Sequence, residues 1–469
     1  MAWAACAASA LFGCSVGPNY VRPTAESPSA YKEAIPWKPA EPRDQEPRGN
    51  WWEVFKDPRL DALVAPVEVS NQTIKAAEAR VRAARALTQQ ARAALFPLVS
   101  ASASASRSSS RGASGSSVNT TGQGGGPRND YNVALNVSWE VDLWGRIRRT
   151  VEASEASAQA SVADLESAKL SAQALLAEDY FLLRVQDAQI RLLNDTVDAY
   201  QRSLQLTRNQ YAVGVAARAD VAQAETQLKS TQAQAIDAGV QRAQLEHAIA
   251  VLLGKAPADF SVAAESVPTE FPPMPPGLPS ELLERRPDIA AAERRAAAAN
   301  AQIGVAEAAF FPSLTLSATG GFQSSVLSQL FSLPSRYWSL GSALAQTIFD
   351  AGLRRAQTAQ AIATYDENVA NYRQTVLNGF QEVEDNLAAL RILEQEASVQ
   401  DEAVKSARES LAITLNQYRA GTANYLAVVV VQATALANER TALAIQSRRL
   451  FASVALIKAL GGGWNAAAL

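Results

Sequence analysis

The 469-residue sequence predicts an α+β membrane protein with an internal two-fold repeat, each half pairing very long α-helices with one membrane-spanning β-hairpin. Three observations predict this. The stretch "TRNQYAVG" at Thr207–Gly214 returns as "TLNQYRAG" at Thr414–Gly421, 207 positions on, and self-similarity near half the chain length overrides a count of about 150 residues per domain. Apolar residues recur every seventh position up to each of those stretches. Between the helices of each half, apolar and polar residues alternate with period two.

The chain opens on "MAWAACAASALFGCS", which holds both cysteines, Cys6 and Cys14, so everything after it lacks a disulfide framework and a thiolate metal site. The leader is shorter than the about 20 apolar residues a membrane helix needs, but it has the apolar core and small-residue ending of a secretory signal. Its "LFGC" resembles a bacterial lipobox. On that reading residues 1–13 are the signal and Cys14 becomes a lipid-bearing mature N-terminus. Ser15 after it, in place of Asp, is the type such lipoproteins use to reach the outer membrane. The alternative is a cysteine buried in an apolar segment. No Lys or Arg precedes Arg22, so the basic start of a signal is missing and the true N-terminus is expected upstream. Residues 14–60 read as an extended, lipid-anchored arm, rich in Pro, Glu and Ser from Pro18 to Pro47. Ordered structure begins with "WWEVFKDPRLDALV" at Trp51–Val64.

Residues about 70–95 and 150–212 are Ala-rich and free of Gly and Pro, as unbroken helices require. Stepping back by sevens from Tyr211 meets Leu204, Val197, Ile190, Leu183, Leu176, Lys169 and Val162. From Tyr418 the same step meets Leu411, Val404, Ala397, Leu390, Val383, Val376, Val369 and Ile362. Two heptad seams thus run in one register. At about 1.5 Å per residue each helix is on the order of 95–100 Å long, which predicts an elongated molecule.

In "DYNVALNVSWEVD", Tyr131, Val133, Leu135, Val137, Trp139 and Val141 alternate with smaller or polar residues, the length and pattern of a tilted strand with one face in lipid and one in water. "VSASASAS" alternates Ala with Ser, "FPSLTLSATG" sets Leu314 and Leu316 against Ser313, Thr315 and Ser317, and "YWSLGSALAQTIF" places Trp338, Leu340 and Leu344 together. Hairpins are therefore expected at about 96–142 and about 311–349. "ARAALFPLVSASAS" matches "AEAAFFPSLTLSAT" at an offset of 215, eight more than after the hairpins, and the Gly- and Ser-rich "SSSRGASGSSVNTTGQGGGPRN" absorbs the difference as a longer loop. Repeat 1 spans 61–254, a Pro-rich linker 255–287, and repeat 2 288–469. Asp288 is expected to cap the helix after the linker.

Four strands cannot close a barrel, since membrane barrels start at about eight, and an open edge in lipid costs several kcal/mol per unpaired group. Three chains give twelve strands. The helix at about 70–95 and the one at about 219–253 together approach the length of the long helix between them, so stacked end to end they form a neighbouring column, and twelve strands continue into twelve helical columns. The net charge of −3 and pI near 5.6, with Lys and Arg scattered, speak against nucleic acid or an anionic membrane surface as partner.

The chain resembles an outer-membrane factor of the TolC superfamily, in its OprM- and NodT-like lipoprotein branch. The matching stretches are "GCSVGPNYVRP" at Gly13–Pro23, "WWEVFKDPRLDALV", "FPLVSASAS" at Phe96–Ser104, "WEVDLWGRIRR" at Trp139–Arg149, "LPSELLERRPDIAAAE" at Leu278–Glu293 and the two "NQYxxG" stretches. The resemblance implies a homotrimer with a twelve-stranded outer-membrane β-barrel continued by a long periplasmic α-helical barrel. It also implies a closable periplasmic end that meets a membrane-fusion adaptor and an inner-membrane pump, of resistance-nodulation-division type. The function it implies is a passive export duct for drugs and small toxic molecules. A duct for heavy metals or secreted proteins is the nearest alternative, and a structural periplasmic coiled coil the alternative of another class.

Gly214 and Gly421 end the seams and are expected in left-handed conformation. By the resemblance Gly214, Val215, Ala216 and Gly421, Thr422, Ala423 face the adaptor. Past the second turn, "NYLAVVVVQATAL" places Leu426 at the family's apolar pore ring, but Val430 stands where the family has an acid, which favours an apolar constriction that closes by dewetting. Helix packing is the plainer reading of the valine run. Asp220 could supply a negative ring; its plainer reading is an N-cap with Gln223 completing a capping box. Tyr211 and Tyr418 close the seams by packing, and their hydroxyls could bond across neighbouring helices. The adjacent pairs Glu178–Asp179 and Glu384–Asp385 point different ways around a helix and form no acid/base dyad. His247, the lone histidine, has no partner at ligand spacing. No constellation supports an enzyme, metal or cofactor, the expected covalent lipid on Cys14 aside, and transport energy must come from elsewhere.

Overall fold

The computed structural model describes residues 15–25, 27–34, 50–109, 127–267 and 285–464. The expected signal, Cys14, most of the Gly- and Ser-rich loop and most of the Pro-rich linker lie outside the described residues. The described chain forms α1 (Pro58–Val64), α2 (Val67–Ser70), α3 (Gln72–Ala93), β1 (Leu98–Ser108), β2 (Arg128–Val141), α4 (Arg146–Ala212), α5 (Arg218–Leu252), α6 (Pro287–Ala308), β3 (Ser313–Ser324), β4 (Arg336–Ala345), α7 (Leu353–Arg419) and α8 (Tyr425–Ala459). Helices α3, α4 and α5 have 22, 67 and 35 residues, and α6, α7 and α8 repeat 22, 67 and 35. The duplication is thus kept residue for residue in helix length, and the first long helix begins at Arg146, just before the expected start.

The chain divides into two compact units. The first comprises residues up to 23, 82–160 and 293–371. Its centre is one antiparallel sheet in the order β1-β2-β3-β4, so β1 and β4 are edges. Pairing aligns Val99 with Val137, Leu135 with Ala101 and Gly320, Trp139 with Leu316, and Leu314 with Leu344. The alternating apolar set of every strand therefore falls on one face, and Ser102, Asn136, Thr319 and Ser339 share the other. A one-residue slip would invert every strand, so this agreement across three ladders fixes the register. On the polar face Gly321 leaves no room for a Cβ, which would lie 2.3 Å from Val133 O. Across it the Tyr337 hydroxyl meets the Asn132 amide at 3.0 Å, an aromatic covering a glycine.

Where the strands meet the helices, Trp139 Nε1 donates to Leu95 O at 3.0 Å and Trp144 Nε1 to Pro312 O at 2.8 Å, with Trp144 stacked on Phe311. The start of the described chain is clamped here too. Arg149, buried, donates to Val16 O, Gly17 O and Asn19 Oδ1, while Gly17, at φ +93, sits where a Cβ would come within 2.4 Å of Gly304 Cα.

The second unit comprises residues 24–81, 161–292 and 372–469. Its core gathers Trp51, Trp52 and Phe55 with Tyr180, Phe181, Leu183, Tyr372, Val383 and Leu456. The arm is tied to it: Glu384 accepts from Lys32 N at 2.7 Å and Glu33 N at 2.9 Å, and Trp51 Nε1 donates to Gln173. Asp179, which at the 207-residue offset matches Asn386, is half buried, with its carboxyl pushed up to about 6 by burial. The two acid pairs are thus one residue out of register between the halves, and Glu384, which holds the arm, matches Ala177.

In this unit short helices meet end to end, as the length argument expected. Asn71 caps α3 by accepting from Thr73 N and Ile74 N, and its amide donates to Leu252 O at the end of α5. In the second half Arg286 donates to Ala459 O at the end of α8. Asp288 is not the N-cap the sequence suggested: α6 starts at Pro287, and Asp288, in its first turn, pairs with Arg286 at 2.6 Å. The turn glycines at these joints, Gly254 and Gly461, are left-handed and pressed on Ser70 O and Arg285 O. A Cβ on Gly254 would lie 2.4 Å from that oxygen, whereas one on Gly214, also left-handed, would touch nothing within 4 Å. Gly214→Ala should therefore cost only the left-handed penalty of about 1–2 kcal/mol, and Gly254→Ala distinctly more. Thermal unfolding of the two variants should rank them in that order.

Candidate functional site

The two turns predicted from the repeated octapeptides lie in the second unit and are built alike. At the first, Gly214 N donates to Tyr211 O at 3.0 Å and Val215 N to Gln210 O at 2.8 Å. At the second, Gly421 N donates to Tyr418 O at 3.1 Å and Thr422 N to Gln417 O at 2.9 Å. Both are Schellman caps, with Gly214 at φ +80 and Gly421 at φ +77 as the left-handed residue. Gly214, Val215, Gly421 and Thr422 are exposed, and Ala216 and Ala423 partly so.

The helices that leave the turns are capped in complementary ways. Asp220 is not an N-cap and Gln223 completes no box: the cap position is Ala217, and Asp220, three residues on, accepts from Ala217 N at 3.0 Å. The equivalent second-half position is Asn424, whose Oδ1 accepts from Ala427 N at 3.0 Å. Each half keeps one of the two bonds of a capping box. Asp220 is thereby committed to its helix start.

The tyrosines that end the seams are not equivalent. Tyr418 is 4% exposed and its hydroxyl donates to Thr207 Oγ1 at 3.0 Å, joining α7 to α4, while Gln210 Nε2 donates to Tyr418 O at 3.2 Å. Tyr211 is 45% exposed. Tyr418 packs on Tyr425, ring centroids 5.6 Å apart, within a cluster that includes Tyr200, Leu204, Val221, Leu228 and Val428. Burial raises the phenols of Tyr200, Tyr418 and Tyr425, so all three stay neutral across ordinary pH. The cluster is an uncharged lock between the halves.

On α8, Tyr425 and Val428 face this cluster and are buried, while Leu426 and Val430 are each 56% exposed. The free stripe continues through the exposed Ala433, Thr434 and Ala437. The equivalent places of Leu426 and Val430 on α5 are Ala219 and Gln223, so the two halves present different chemistry at matching positions. His247 lies exposed on α5, and among the described residues no three His, Cys, Asp or Glu side chains gather to hold a metal. The bond expected of the seam tyrosines across neighbouring helices is made by Tyr418 alone within the described chain. Sequence reading missed its partner Thr207, although it heads the repeated octapeptide, and missed Tyr425, whose only signal is its place after the second turn.

A duplicated chain with an amphipathic, open-edged sheet and helices of 67 residues has the parts of a channel subunit. The Outer membrane efflux protein family matches residues 64–255 and 278–462, and the chain belongs to that family. It is an outer-membrane channel component of an efflux system. The toluene efflux pump outer membrane protein TtgC of Pseudomonas putida is 33% identical over 457 residues, covering 97% of this chain and 93% of TtgC. The pyoverdine export outer membrane protein OpmQ of Pseudomonas aeruginosa is 32% identical over 416 residues, 88% of this chain and 87% of OpmQ. The solved structure of the outer-membrane channel OprN superposes with a TM-score of 0.88 at 32% identity, covering 96% of this chain and 100% of that one.

If the tip bond locks the halves, Tyr418→Phe should cost about 0.5–1.5 kcal/mol. Differential scanning calorimetry should show the loss for Tyr418→Phe and none for Ser230→Ala, at an exposed position of α5 where alanine favours the helix.

Proposed function

We propose that three copies of this chain close a twelve-stranded β-barrel in the outer membrane and continue it as a periplasmic helical barrel, forming the passive duct of a tripartite efflux system. The observation that carries this reading is the pair of unpaired edges, β1 and β4, on a sheet with one mainly apolar and one polar face. In hydrocarbon each open edge is prohibitive, and three four-stranded sheets joined edge to edge remove all of them.

The tip contacts support the same closure. Tyr418 of the second repeat reaches Thr207 of the first, yet no bond joins the equivalent pair, Tyr211 and Thr414, within the described chain. In a ring of three copies Tyr211 of one chain faces Thr414 of the next, which uses the exposed tyrosine and makes six alike contacts from three chains. Tyr211→Cys with Thr414→Cys, treated with a short bis-maleimide, should give a three-chain ladder on a denaturing gel. Failure to link copies, with Cys placed instead at Tyr418 and Thr207 linking within one chain, would remove the ring.

The exposed turns Gly214–Ala216 and Gly421–Ala423 are the surface offered to a periplasmic adaptor, which couples the duct to an inner-membrane pump of the resistance-nodulation-division type. A lipid on Cys14 anchors the arm. The cargo is a small toxic molecule selected by the pump, in line with relatives named for toluene and pyoverdine. Leu426 and Val430 form an apolar constriction that closes by dewetting, a reading supported by their exposure on one stripe of α8. Val430→Asp should therefore raise cation selectivity in planar-bilayer recordings, and an unchanged reversal potential would put the constriction elsewhere.

A further inference from the structure

We propose that the outer rim of the barrel binds the phosphate of an outer-leaflet glycolipid between Arg336 of one copy and Arg107 of the next; the inference rests on the three-copy barrel. Along all four strands the apolar face carries Val, Ala, Leu, Phe, Tyr and Trp with a few small polar residues, and only two charges, Arg107 and Arg336. Both stand at the end of the sheet from which the hairpin connections leave: Arg107 is the penultimate residue of β1 and Arg336 the first of β4. The long helices leave from the opposite end, toward the periplasm in the proposed duct, so the arginine end is the outer one. Both arginines are exposed, and neither has an ion-pair partner among the described residues.

Their strands decide the rest. The sheet order makes β1 and β4 the edges, so in a closed barrel β4 of one copy adjoins β1 of the next. Each seam then brings two guanidiniums to the same margin of a lipid-facing wall that has no acid. Two like charges at the margin of a low-dielectric region are unfavourable unless an anion lies between them. Guanidinium forks match phosphate oxygens in paired hydrogen bonds.

The aromatics fix where that anion belongs. Tyr131, Phe322 and Trp338 lie on the same face within a few positions of the arginines, and Phe331 in the β3–β4 connection packs on Phe322 with centroids 5.6 Å apart. Aromatic rings in such a band sit at headgroup level, so the guanidiniums stand among lipid headgroups and not in the aqueous lumen. The ligand is accordingly a phosphorylated lipid, one per seam, and not a soluble anion.

Native mass spectrometry of the full chain in detergent tests this, with diphosphoryl lipid A as the probe. The wild type should bind one lipid A per seam. Arg107→Ala and Arg336→Ala should each weaken binding at least about tenfold, and the double variant little further, because both residues serve one site. Arg128→Ala, on the polar face at the same end, should leave binding unchanged. Wild-type binding by an intact three-chain Arg107→Ala, Arg336→Ala protein would overturn the site, as would equal binding of fully dephosphorylated lipid A or displacement of lipid A by an equal concentration of inorganic phosphate. A wild type that flies as a single chain would instead remove the three-copy reading, and the site with it.

Discussion

Backbone pairing in hydrocarbon is the constraint on which the rest of this protein depends. A strand that faces lipid must give every N–H and C=O a partner, and the described residues make three ladders from four strands. The interior ladders are set by side-chain alternation so consistent that the apolar sets of all four strands share one face. The two edges, β1 and β4, find no partner among the described residues, and in the proposed duct other copies supply it. The proposed closure, with its inter-copy seams and the meeting of Arg336 with Arg107, rests on that constraint.

Duplication supplies the matching helices. Both halves carry helices of 22, 67 and 35 residues, and both make the same end-to-end joint with a left-handed glycine pressed on a carbonyl. The halves differ where sequence could drift without breaking geometry. Asn71 holds one joint and Arg286 the other; Asp220 caps one returning helix and Asn424 the other. Equal backbones with unequal side chains allow a near-regular ring whose two kinds of tip can differ in chemistry, and α8 presents Leu426 and Val430 where α5 presents Ala219 and Gln223.

Much of this is legible in the sequence because it is periodic. Seven-residue steps locate α4 and α7, two-residue steps locate all four strands and their faces, and the two glycines after "NQY" announce Schellman caps. What is not legible depends on which periodic elements become neighbours. Nothing in the spacing says that Tyr418 finds Thr207 while Tyr211 stays exposed, since the seams read alike. Asp220 and Asp288 fail as N-caps for a related reason: an acid near a helix start fits the cap or the first turn equally well, and only backbone geometry decides. The proposed arginine pair at the rim is invisible too, because only the order of strands puts Arg107 and Arg336 on the two edges that closure would join.

Everything above the level of one chain turns on how many copies close the barrel. Light scattering with the detergent contribution subtracted gives the protein mass of the solubilised complex directly. Closure by three copies predicts about three times the 49.9 kDa of one chain, less the leader. A stable particle with the mass of one chain would contradict it.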